Sequence, residues 1–206
     1  MALVKYNNNS ISNVTTTALA EGSLVPIKTL TASSSSTLSF VHGSNDVVLD
    51  STYPIYKFEL INIHSSQDAN NTHMSASTNG GSSYGVTATT TQFQALHWEN
   101  DSSTALQYST AGDLAQSTNP VDIGRSLGSD NDECGVATIY IFSPSSTTFV
   151  KQFMSTNNEY HSSDLTLQNF TAGYFNTTSS INAIQFSMSS GNIDSGKIKL
   201  YGIKDS

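Results

Sequence analysis

Gly124-Arg125-Ser126-Leu127-Gly128 is a literal G-x-S-x-G, the spacing that in hydrolases sets a nucleophilic serine on a sharp turn between a strand and a helix. The surrounding sequence lacks that frame. The residues that follow, 129–135, hold no apolar period on which a helix could start, and the chain does not alternate strands with helices. With 35 serines and 13 glycines in the chain, chance supplies such a match, and Ser126 is read as part of a loop.

Asp130, Asp132 and Glu133 form the densest acidic cluster. They begin like a calcium loop, but Cys134 stands where a third oxygen ligand belongs and no glutamate closes the ring. A solvated acidic turn is the expectation. His42, His64, His73, His97 and His161 are dispersed, without zinc-ligand spacing. Cys134, the only cysteine, cannot form an internal disulfide and is expected as a small buried residue. No spacing pairs the 16 acidic residues as a glycosidase needs. The expectation is a chain without catalytic residues, metal or cofactor.

His97, Trp98 and Glu99 make the one cluster suited to recognition. An indole can stack on the C–H face of a sugar while imidazole and carboxylate take its hydroxyls. Trp98, the only tryptophan, has a second reading as a core side chain, the usual fate of so large an apolar ring.

What must position these residues is a set of strands. Ser (35) and Thr (24) dominate, and only 12% of residues are charged, a balance that favours strands and turns over helices. Short apolar runs cut by turn residues appear at 37–41, 47–50, 53–64, 89–98, 136–143, 148–154, 165–175, 181–188 and 197–203. Their spacing predicts an all-β antiparallel sandwich or barrel. Within 53–64, Tyr56, Phe58 and Leu60 share one face before Ile61 and Ile63 open a second apolar row, so that strand changes environment midway or buries both faces. Ile184, Phe186, Ile198 and Leu200 are expected inside, with Lys197 and Lys199 outside. Two segments, 65–85 and 117–135, read as long irregular loops, and 104–116 as the only stretch with room for a helical turn.

The first 25 residues carry too few large apolar side chains for a core. They read as an extended arm with Leu3, Val4, Tyr6 and Ile11 as its anchors, ahead of one domain over 26–206. A formal net charge of -8 with eight Lys and Arg excludes neutralisation of a phosphate backbone and attraction to an anionic membrane. No apolar run reaches 18 residues, so no spanning helix is expected. The opening lacks the pattern of a secretory signal, which predicts synthesis in a cytoplasm.

Segments 27–64, 112–118, 141–155, 172–186 and 188–204, together with the opening ALVKYNNNSISNV, resemble a family of virion structural proteins of marine tailed phages, chiefly cyanophages. The resemblance implies a non-enzymatic particle component with a jelly-roll or lectin-like β-sandwich. It implies a tail or capsid fibre or knob that docks by its N-terminal arm and contacts host-surface glycans, or else a capsid decoration or tail-assembly protein with no receptor role. Its partners would be other virion proteins and copies of itself, a homotrimer or another homo-oligomer, and its location the virion. No catalytic residue carries over.

Overall fold

The computed structural model describes residues 23–205. The arm residues Leu3, Val4, Tyr6 and Ile11 lie outside the described residues. Strands occupy 57% of the structure and helices none, and antiparallel pairing carries the sheet into a nearly closed barrel. In chain order the strands are β1 (Leu24–Thr31), β2 (Thr37–Val41), β3 (Ile55–Ser65), β4 (Asn70–Ser77), β5 (Ala88–Trp98), β6 (Thr104–Tyr108), β7 (Val121–Leu127), β8 (Gly135–Phe142), β9 (Lys151–His161), β10 (Leu165–Phe175), β11 (Ala183–Met188) and β12 (Ile193–Ile203).

Two runs of strands make the walls. One follows β1-β12-β3-β8-β9 and continues through β10 and β5 to β6; the other is β7-β4-β11-β2. They join between β7 and β9 by one residue pair, Leu127 opposite His161. Across the barrel a bridge from Ser35 to Ile193 ties the β2 side to β12. Between the walls lies an apolar core with Phe40, Phe58 and Phe186 in mutual edge-to-face contact, the arrangement the ring quadrupole favours. Ile184, Phe186, Ile198 and Leu200 are all buried there.

The phase change expected in β3 has a local cause. Tyr56, Phe58 and Leu60 point inward; Asn62 then adopts φ +50°, the pairing with β8 slips between Leu60 and Ile63, and Ile63 and Ser65 resume the inward row. One extra residue has been inserted into the strand, a bulge that moves the apolar row without exposing it. Gly196 of β12 faces this bulge, where a Cβ would stand 2.6 Å from the Asn62 carbonyl oxygen. Only glycine leaves room there.

Several expectations fail. Segment 65–85 contains β4 and segment 117–135 contains β7, so each supposed loop carries a strand of the wall. Their sequences, such as Asn-Asn-Thr-His-Met-Ser-Ala-Ser, alternate buried and half-buried positions with small polar residues inside, a pattern that hydropathy does not register. Segment 104–116 opens with β6 rather than a helical turn. Residues 47–50 form no strand, although Val47 and Leu49 are buried. β1 already begins at Leu24, inside the expected arm, and pairs along β12.

Candidate functional site

Midway along β5, β10 and β9 the usual polarity of a wall is reversed, while Phe153 and Phe175 at one end and Leu165 and Leu167 at the other still point inward. Gln92, Gln94, Asn169, Thr171, Ser155, Asn157 and Glu159 are buried inside. The alternating residues Phe93, Phe170 and Met154 face out, with Phe93 opposite Phe170 on β10 and opposite Tyr108 on β6. Paired residues of an antiparallel sheet share a face, so these side chains form one outer apolar patch, joined by Leu106. The Phe93 and Phe170 rings stack 4.6 Å apart, 10° from parallel.

The polar interior is held by hydrogen bonds. Gln92 Nε2 donates to Thr171 Oγ1 at 2.8 Å and to the Asp122 carbonyl at 3.0 Å. Gln94 Nε2 donates to Asn169 Oδ1, and Asn169 Nδ2 donates to Asn157 Oδ1. Glu159 accepts from the Arg125 amide through Oε1, while its Oε2 has no partner. Burial pushes the Glu159 carboxyl up to about 8, against the opposing pull of the Arg125 amide and the Asn157 and Asn169 side chains. Gly124 gives the carboxyl its space, since a Cβ there would meet Oε2 at 2.5 Å.

At the end of β5, His97, Trp98 and Glu99 line one cleft of about 450 Å³, shared with Asp132, Cys134 and Tyr160. Trp98 is half-buried, between the core and platform readings, and His97 is exposed. The His97 ring bonds Asp101 Oδ1 at 3.0 Å. A hydrogen bond to Glu99 is the main cause that raises the Tyr160 phenol to about 12. The cleft therefore combines an indole, a phenol and the carboxyls of Glu99, Asp132 and Glu159, next to the outer patch.

The remaining candidates are committed to structure. Ser126 lies within β7 at φ +60°, its amide bound to Asn71 Oδ1 and its carbonyl accepting from Ser162; no strand-to-helix turn surrounds it. In the acidic cluster, Glu133 is buried and caps the Asp130 amide through Oε2 at 2.7 Å, so the turn is only partly solvated. Cys134 is half-buried rather than buried. The histidines are bound separately: His42 accepts from the Leu49 amide, His64 contacts the Asp130 carbonyl, and His161 accepts from the Ser163 amide. His73 reaches Asp122 at 2.9 Å, and Arg125 bridges Asp122 to the Ala111 carbonyl, which fixes the segment leaving β6. Among the described residues no three His, Cys, Asp or Glu side chains are grouped to hold a metal ion.

Hydropathy could not find the outer patch, because a strand with inverted faces alternates like any other. The signal present was Gln92-Phe93-Gln94 opposite Asn169-Phe170-Thr171, two strands that place amides and aromatics in the same register. No family model, curated protein or solved structure matches the chain.

Proposed function

We propose that this chain is a structural component of a phage particle, a tail or capsid fibre or knob with a jelly-roll or lectin-like body, docked by its N-terminal arm. The observation that carries this reading is the reversed middle of the β5, β10 and β9 wall, where Phe93, Phe170 and Met154 are turned outward. Contiguous exposed apolar surface is characteristic of proteins that work against other proteins, and particle components do so at high copy number. The resemblance of segments 27–64 and 188–204 to virion structural proteins points the same way. The rim cleft at His97, Trp98 and Glu99 is the place for contact with a host-surface glycan, since aromatic rings and carboxylates suit a sugar's C–H and hydroxyl groups.

Removal of residues 1–22 tests the docking role. The shortened chain is expected to remain folded by circular dichroism and to be absent from purified particles; normal incorporation would overturn the arm's role. Glycan-array binding by the full chain, lost in Trp98→Ala with the fold intact, would support recognition. Absence of binding on the array would assign the protein to capsid decoration or tail assembly without a receptor.

A further inference from the structure

Leu106 is 75% exposed, Tyr108 54%, Met154 53% and Phe93 45%. Together these four present on the order of 450 Å² of largely apolar surface, taking each large side chain at roughly 200 Å². A standard interface covers roughly 800 Å² per partner, and homodimer interfaces are about 65% apolar. The patch therefore matches the apolar portion of one such interface. Its near neighbours in the sheet register, Thr91, Ala95, Thr156, Gln168 and Ala172, are uncharged, and the one carboxylate bound to the patch, Asp113, accepts from the Tyr108 hydroxyl at 2.7 Å on its edge. Copies of a chain with net charge -8 repel one another elsewhere, so a face with little charge is where two can meet.

From the area, the low charge and the reversed alternation we infer that the outer face of β5, β6 and β10, with Met154 of the adjoining β9, packs on the same face of a second copy, sheet against sheet about a two-fold axis. The inference rests on the reading of the chain as an assembly protein. Each wall then has buried side chains on both faces: amides and hydroxyls paired within the barrel, aromatics interdigitated between copies at the roughly 10 Å spacing of packed sheets. A two-fold axis makes the patch its own complement, the simplest closed solution for one apolar face. The stacked Phe93 and Phe170 rings give each copy a flat, rigid anchor of the kind that dominates interfaces.

The neighbouring edge offers a competing geometry. The Trp98 amide bonds the Ser103 carbonyl and the Ser109 amide the Gln92 carbonyl, which fixes the parity of the β5–β6 ladder. Thr104, Leu106 and Tyr108 therefore turn their backbone groups away from β5. Pairing of two β6 edges would use those groups and leave the aromatic face in water.

Native mass spectrometry and sedimentation of the full chain decide between these arrangements. The expected mass is twice 22.0 kDa. Leu106→Glu and Phe93→Ser each replace an exposed side chain and should retain the far-ultraviolet spectrum. Either should weaken association about 100-fold, as loss of a central anchor from both copies does. Phe149→Ser removes a still more exposed ring outside the patch and should leave the dimer intact. A monomeric wild-type chain overturns the inference, as does a dimer broken by Leu106→Pro yet indifferent to Phe93→Ser, which is the signature of edge pairing. A monomer still incorporated into particles would refute the dimer and keep the particle role; a dimer absent from particles would do the reverse.

Discussion

Glu159 ties the stability of the fold to pH. Its carboxyl lies inside the barrel with one oxygen unpartnered, and burial raises its pKa from 4.5 to about 8. Between those values the folded chain holds a proton that the unfolded chain has released. The stability it contributes is thus complete below pH 4.5 and declines as pH rises through about 8. The slope is at most about 1.4 kcal/mol per pH unit. Glu159→Gln keeps an acceptor for the Arg125 amide and removes the titration. From pH 7 to pH 8, above the range of His161, urea midpoints of the wild type should fall while those of Glu159→Gln stay level; parallel curves would show that Glu159 does not titrate in this window.

At the scale of elements, the bulge in β3 is the clearest case of local geometry that the sequence partly discloses. Ile61 and Ile63 signal a change of phase, but only the structure assigns it to Asn62 at φ +50°, opposite Gly196. Asn tolerates the left-handed region and a β-branched residue does not. Asn62→Val should therefore cost about 1–2 kcal/mol, read as a lowered melting temperature, and Asn62→Gly should be near neutral. Equal losses in both would mean that the side chain, rather than the backbone, holds the bulge. Strands such as β8 and β10, with large apolar residues in alternation, were legible for the same reason that β3 was. β4 and β7 were not, because Thr72, Asn70 and Gly124 fill their inward positions and look like loop residues. The rim cleft was legible through His97, Trp98 and Glu99, which are adjacent in sequence. Asp132 and Tyr160 joined it only through the pairing of β8 and β9, contacts that no local pattern encodes. The outer patch stayed hidden because a reversed wall has the same period as an ordinary one.

For the whole molecule, one weak place is the seam between β7 and β9. β3 and β8 share a long register with β12 and β9, whereas β7 meets β9 at Leu127 and His161 alone, with amide bonds from Gly128 to Tyr160 and from Ser162 to Ser126. Glu159 and the Arg125 amide lie directly under that seam. Local opening takes place where few bonds must break, so amides of 125–128 and 160–162 should exchange hydrogen well before those of β3, β8 and β12. Above pH 8 the ionised Glu159 gains most from water, and opening the seam is the shortest way to admit it. His161 does not contribute in that range, because burial lowers its pKa from 6.5 and it stays neutral. Seam amides, corrected for intrinsic exchange, should thus lose protection between pH 7 and pH 9 in the wild type and keep it in Glu159→Gln. Uniform protection across seam and walls would show instead that the barrel opens only as a unit and that the buried carboxyl is coupled to global unfolding.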